Sequence, residues 1–162
     1  MDRILIKFKT FKMIHIAMIF SIIIYGAVIY IIKYANSMTP IMSLEKEQFE
    51  FLKNISLGVS FLVFLIIFFL KKALIKKAQN STLSSDKEDK LLFFFMKYSG
   101  SYYIWTALCE IPAIGGILFY LILGNQGYNF AMLLILIALA LRVIFSPRLK
   151  DIEEMDQKLQ YL

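Results

Sequence analysis

The chain has few of the residues that build disulfides, metal sites and most active centres. It contains 1 cysteine and 1 histidine among 162 residues. A single cysteine excludes an intrachain disulfide, and a single histidine excludes the usual multi-residue zinc site. The sequence also has no recognisable nucleophile–base pair and no glycine loop that would bind a phosphate. We therefore expect no metal, no cofactor and no enzyme activity.

Long apolar runs are the dominant feature of the sequence. Hydrophobic residues make up 59% of the chain, and its mean hydropathy is +0.68. About 20 consecutive, mostly apolar helical residues are needed to cross a bilayer. Four runs meet this requirement, and spanning backbone must satisfy its own hydrogen bonds. The sequence therefore predicts an all-α fold, a four-helix transmembrane bundle that forms one domain over residues 1–162, with spans at about 12–33, 53–75, 100–123 and 127–146.

The basic residues lie mostly on one side of these spans. Of the 18 lysines and arginines, 15 fall before span one, between spans two and three, or from Arg142 onward, against 3 in the two other connections. Positive charge marks the cytoplasmic side. We expect a multi-pass protein of the bacterial cytoplasmic (inner) membrane with both termini inside, whose first span is retained. The net charge of +6 then suits contact with anionic membrane lipids rather than with nucleic acid.

Three polar connections carry turn or helix-start signals. Thr39-Pro40 and Ser146-Pro147 each resemble a cap followed by a first helical residue. The turn over residues 124–127 is short and uncharged, which predicts an antiparallel hairpin of spans three and four. Residues 147–162 alternate apolar and charged side chains at helical spacing, which predicts an amphipathic cytoplasmic helix. That helix either packs on its own bundle or membrane surface, or binds a partner.

The central connection is expected to contain a loop and a short interfacial helix. Residues 79–85 are polar and predict a flexible loop, and Ser85 with Glu88 fits a capping box. The following apolar residues 91–96 are too few to span and are expected to lie at the membrane interface. We expect that short helix to break near residues 99–101 before the third span.

Glu110 is the most informative single residue. It lies near the middle of the third run, where a charged carboxylate is costly and has to face the bundle interior. Pro112 follows two residues later and frees the carbonyl of Leu108, which predicts a kink beside the carboxylate. Such a group serves either as a protonatable transport site or as a structural hydrogen-bonding group that specifies helix packing.

Two basic side chains are candidate partners for Glu110. Arg142 lies about one turn from the cytoplasmic end of span four, where it either reaches the headgroups or pairs with Glu110. His15 lies near the inner mouth of span one, as an interfacial polar residue or as a member of a proton relay. Burial favours a neutral carboxyl, whereas a paired arginine favours a charged one, and the sequence leaves this choice open.

Other residues of the third span have positions that suit an interior face. Tyr103, Thr106 and Glu110 recur at helical spacing on one stripe, which continues to Ala113. A neighbouring ridge of small residues permits close helix approach and consists of Cys109, Ala113 and Gly116.

The second half of the chain resembles a known kind of protein. The stretch Ala-Leu-Cys-Glu-Ile-Pro-Ala-Ile-Gly-Gly over residues 107–116, followed by Gly124-Asn125 and Ser146-Pro147-Arg148, is similar to a family of small four-span bacterial membrane proteins. Their third span carries a similar Glu, small-residue, Ala and Gly pattern, although Arg more often stands directly before Pro. The resemblance covers about residues 102–150 and implies four spans but no particular activity.

Two functions from different classes remain open at this point. One is a non-enzymatic accessory or assembly component of a membrane complex, with a membrane-protein partner or a second copy of itself. The other is a small proton- or cation-coupled transporter, or a transporter subunit, that uses Glu110 as its protonatable site.

Overall fold

The computed structural model describes residues 2–35, 40–84 and 89–160, and every regular element in these ranges is helical. The all-α prediction is therefore confirmed. The α-helices in the described residues are α1 (Asp2–Tyr34), α2 (Lys46–Leu83), α3 (Lys90–Leu108), α4 (Ile111–Leu123), α5 (Tyr128–Ile144) and α6 (Lys150–Gln160).

Three apolar stretches are long enough to cross a membrane, which indicates a membrane protein. They are Ile4–Tyr34, Lys46–Leu83 and the combined stretch Lys90–Gln126. The remaining apolar helix, α5, has 17 residues, or about 25 Å at 1.5 Å per residue. Many large apolar side chains on α1 and α2 are exposed on the outside of the protein, as expected where lipid rather than water is the solvent.

α5 is the central helix of the arrangement. It forms a tight antiparallel hairpin with α4 through a 3₁₀ turn, Gly124–Gln126, in which Gly124 has a φ of +55°. α5 also packs along α1, while α2 packs mainly along α3. One buried cluster, which includes Ile22 of α1 and Ala113 of α4 with several α5 residues, fills the interior beside the hairpin.

A second buried cluster lies at the lysine-rich end of the helices. It joins Phe11 of α1, Phe94 and Tyr98 of α3, and Ile152 and Met155 of α6. The apolar face of α6 is therefore turned onto its own bundle. The sequence left open whether this helix packs on its own bundle or membrane surface, or binds a partner. Its apolar side packs on the bundle.

The structure corrects the predicted central connection. Residues 79–83 are the end of α2 and not a loop, since α2 is 38 residues long. α3 runs through residues 99–101 without a break and stays helical to Leu108, because each of these residues keeps the backbone N–H that an α-helix requires. Residues 91–96 are part of α3 and do not form a separate interfacial helix. Phe94 and Phe95 are buried because α1 and α6 cover them.

Both proline-based helix starts are also wrong. α2 begins at Lys46, with Glu45 and Gln48 forming its capping box, and α6 begins at Lys150. Pro40 and Pro147 lie in irregular segments before these helices. Thr39 and the proposed capping box of residues 85 and 88 lie outside the described residues, as do residues 161–162 of the predicted C-terminal helix.

Candidate functional site

The third apolar stretch is broken next to Glu110. α3 ends at Leu108 and α4 begins at Ile111. Pro112 has no N–H, so the Leu108 carbonyl loses its normal helical partner. The turn tightens in response, and the backbone N–H of Glu110 donates to Ala107 at 3.1 Å. The expected kink is therefore a local break of the α-helix, at which the N–H groups of Cys109 and Glu110 donate to carbonyls three residues earlier.

This interruption makes a backbone acceptor available to Arg142. In a regular helix the Thr106 carbonyl would accept from the N–H of Glu110, but that N–H is used one residue further along. The Thr106 oxygen instead accepts from Nη1 of Arg142 at 3.1 Å, as well as from the N–H of Cys109. The missing N–H of Pro112 thus shifts the backbone hydrogen bonds, and this shift allows the Thr106 carbonyl to accept from Arg142.

Arg142 and Glu110 form an ion pair between α5 and the break. Nη2 of Arg142 lies 2.5 Å from Oε1 of Glu110. The Arg142 side chain is 0% exposed and that of Glu110 is 25% exposed. The arginine therefore does not reach toward the headgroups. Its Nε has no hydrogen-bond partner in the described part of the chain, so the guanidinium is held by two of its three nitrogens.

His15 does not bind Glu110. Its side chain is buried on α1, and Nδ1 shares a hydrogen bond with the Tyr102 hydroxyl of α3. The two rings meet edge-on with centroids 5.8 Å apart. Tyr102 lies one turn before Thr106 on α3, so the contact between His15 and Tyr102 joins α1 to the same polar region.

The predicted interior stripe is divided between the inside and the outside of the bundle. Thr106 and Ala113 are buried, but Tyr103 is 44% exposed. The ring of Tyr103 lies against Phe11 and Tyr102 at the surface. Sequence reasoning missed Tyr102, which is one position away in the chain and faces inward. No motif distinguishes the two tyrosines.

The predicted ridge of small residues lies inside the protein. Cys109 and Ala113 are buried, and Gly116 contacts α5 so closely that a Cβ there would lie 2.7 Å from the Ala131 carbonyl oxygen. Such a distance leaves no room for any side chain at Gly116. This contact fixes the register of the α4–α5 hairpin and hence the height at which Arg142 meets Glu110.

A further polar contact anchors the segment after α5. The Tyr98 hydroxyl donates to Oδ2 of Asp151 at 3.0 Å and accepts from the backbone N–H of Arg148 at 3.1 Å. Sequence reasoning missed this contact as well. No group of three or more His, Cys, Asp or Glu side chains that could hold a metal is found in the described residues.

Comparison of the chain with protein-family models, curated proteins and solved structures finds no match. The resemblance of residues 102–150 to small four-span bacterial membrane proteins stays a prediction. The functional argument therefore depends on the geometry of the cluster formed by Glu110, Arg142, Thr106, His15 and Tyr102, which is called the polar cluster below.

Proposed function

We propose that this protein is a four-span protein of the bacterial cytoplasmic membrane, with α5 as the fourth span and with both termini and the lysine-rich end inside. The apolar helices and the distribution of 15 basic residues against 3 support this topology. At about 25 Å, α5 is close to the roughly 30 Å thickness of a hydrocarbon core.

Within that membrane, its function is that of a non-enzymatic accessory or assembly component of a larger complex. The observation that carries this conclusion is the ion pair of Glu110 with Arg142. A proton or cation carried by Glu110 would have to displace the guanidinium, which has no exposed surface to move to and is also bound to Thr106. The carboxylate thus acts as a structural connection between α5 and the break.

The lysine-rich end supplies the docking surface for a partner. α2 is 38 residues long, or about 57 Å, so its last turns extend well beyond a bilayer core of roughly 30 Å. Lys76 and Lys77 on this extension are exposed, and Lys97 of α3 is exposed nearby. Since the apolar face of α6 is already occupied, a partner would meet mainly charged side chains. An acidic surface of another membrane protein fits this description.

One observation favours the transporter alternative. A quarter of the Glu110 side chain is exposed, and the polar cluster continues from Arg142 through Thr106 and Tyr102 toward His15. A chain of polar groups is the arrangement that a proton relay uses. This alternative requires the Glu110–Arg142 pair to open during each cycle.

The first experiment determines the native mass of the protein after gentle extraction from its own membrane, with all co-purifying chains identified. We expect a defined complex larger than the 18.8 kDa chain. Replacing Lys76, Lys77 and Lys97 by glutamine should release the partner. A triple variant of the exposed α1 lysines, Lys7, Lys9 and Lys12, loses the same charge and should retain it. A lone monomer, or a complex lost equally in both variants, would contradict the accessory function.

The second experiment tests the alternative directly. Purified protein in liposomes is assayed for proton flux with an internal pH dye, beside the Glu110→Gln variant and protein-free liposomes. The accessory function predicts flux no higher than in protein-free liposomes. Flux that is present in the wild type and abolished in a folded Glu110→Gln variant would establish the transporter.

A further inference from the structure

A cavity of about 380 Å³ opens between the second half of α2, over residues 64–75, and the segment from the end of α5 to the start of α6. Three of its lining side chains are the cations Lys71, Lys72 and Arg148, and one is the carboxylate of Asp151. The rest of the lining is apolar and includes Phe64 and Phe68. Its volume is within the usual range for small-molecule sites, about 300–1,000 Å³.

The charges of this cavity favour an anion. Three cations face one carboxylate, and Asp151 already accepts a hydrogen bond from Tyr98. In the described residues, none of the three cations has a carboxylate oxygen within 4.0 Å. The cavity therefore has an excess of positive charge, which the Asp151 carboxylate offsets only in part.

The cations are also held in place by neighbouring groups. Nζ of Lys71 donates to the Ser146 carbonyl at 3.3 Å and lies 5.6 Å from the ring centre of Trp105. Nζ of Lys72 lies 4.2 Å from the ring centre of Phe68. These contacts limit the freedom of both lysine side chains, so less conformational entropy is lost when a ligand binds.

The position of the cavity indicates which anion it would take. Lys71 and Lys72 directly follow the apolar run of α2, and Arg148 follows the end of α5. Phe68 lies one turn and Phe64 two turns before the lysines, toward the apolar part of α2. A ligand that fills both regions has a negatively charged head and a hydrocarbon tail. A soluble anion would leave the apolar wall uncovered.

We propose that this cavity binds an anionic phospholipid, with the headgroup phosphate among Lys71, Lys72 and Arg148 and the acyl chains along Phe64 and Phe68. Basic pockets between membrane helices are known to hold such headgroups. The bound lipid would connect α2 to the segment before α6. The proposal rests on the membrane placement given above but not on the partner protein.

The test compares the lipid affinity of purified protein by native mass spectrometry and by the shift of its unfolding temperature. The added lipids are phosphatidylglycerol or phosphatidylcholine in detergent micelles, with inorganic phosphate as a third ligand. We expect phosphatidylglycerol to bind more tightly than phosphatidylcholine and to raise the unfolding temperature. Replacing Lys72 and Arg148 by glutamine should weaken phosphatidylglycerol binding by roughly 10- to 30-fold, at about one factor of five per basic residue.

The matched control replaces Lys9 and Lys12, which are exposed on α1 at the same end of the protein. It should retain wild-type lipid affinity. The Arg148 substitution keeps the backbone N–H that donates to Tyr98, so we expect the fold to be retained. An unchanged unfolding temperature without lipid would show this. Equal losses in both variants, equal binding of the two lipids, or an equal shift with inorganic phosphate alone would overturn the proposal. Each of these results leaves the partner experiment unaffected.

Discussion

The indole N–H of Trp105 on α3 donates to the carbonyl oxygen of Phe145, just past the end of α5, at 3.2 Å, and both residues are buried. One turn earlier on α5, Arg142 binds the Thr106 carbonyl and Glu110. α5 is therefore attached to the third apolar stretch at two successive levels, directly before the break and at the break itself. The stability of this region should depend strongly on the ion pair.

Substitutions in the ion pair should show strong coupling. Glu110→Gln leaves a fully buried guanidinium without its counter-charge, and Arg142→Met leaves the carboxylate unpaired. We expect each to lower the free energy of unfolding by about 2–4 kcal/mol, since breaking a buried pair is costly. The double variant should be less destabilised than the sum of the two by about 1–3 kcal/mol. Denaturant unfolding in detergent measures all three.

The control for this cycle is Glu154→Gln on α6. Glu154 is exposed and lies 3.9 Å from Nζ of Lys150, a surface pair that contributes at most about 0.5 kcal/mol. Strictly additive effects at Glu110 and Arg142 would contradict the structural role of the pair.

Gly116 and Gly58 form a matched pair for testing helix contact. A Cβ at Gly116 would meet the Ala131 carbonyl at 2.7 Å, whereas one at Gly58 meets nothing within 4 Å. Gly116→Ala should destabilise the protein by about 1–3 kcal/mol by separating α4 from α5. Gly58→Ala should be neutral or stabilising by up to about 1 kcal/mol, because alanine favours helix. Thermal unfolding that ranks the two in the opposite order would refute the close contact.

Tyr98→Phe should release α6 without unfolding the rest of the protein. The change removes both hydrogen bonds of the hydroxyl, one to Asp151 and one from Arg148, at a cost of about 1–3 kcal/mol. Amide hydrogen exchange should therefore become faster in residues 150–160. Tyr103→Phe, at an exposed position, should leave exchange unchanged. Equal protection of α6 in both variants would show that its apolar face alone holds it.

Membrane orientation can be tested by labelling single cysteines. Cys109 is buried, so the native background of a membrane-impermeant thiol reagent should be low. Cysteine introduced at Lys77 or Lys158 should react only after the cells are opened, whereas cysteine at Ile41 or Asn125 should react in intact cells. The reverse pattern would place the lysine-rich end outside.

The helical character of the chain could be predicted because it follows from long apolar runs, which have few alternatives in a bilayer. The helix ends were less predictable. Gly100 and its serine neighbours resemble a break, but a break requires that something disrupts the hydrogen-bond ladder. Within the third apolar stretch, all of which the structure describes, Pro112 does so through its missing N–H, and the ladder therefore fails just before it.

The candidate site could be predicted only in part. That Glu110 needs a partner follows from the cost of a charge in an apolar run. Which of Arg142 and His15 it binds depends on the rotation of α5 and α1 about their axes, and periodicity does not fix that rotation. The same limitation explains why Tyr103 was predicted to face the interior when Tyr102 does so, since neighbouring residues point about 100° apart on a helix.

The separation of Glu110 and Arg142 along the chain has a consequence for biosynthesis. The two residues are 32 positions apart, and α5 is completed only after α4 and its turn have left the ribosome. Until then the carboxylate has no counter-charge, and its transfer into lipid alone is unfavourable. α4 and α5 should therefore move from the translocon into the lipid together. Until α5 has been synthesised, Glu110 should remain in contact with the translocon protein.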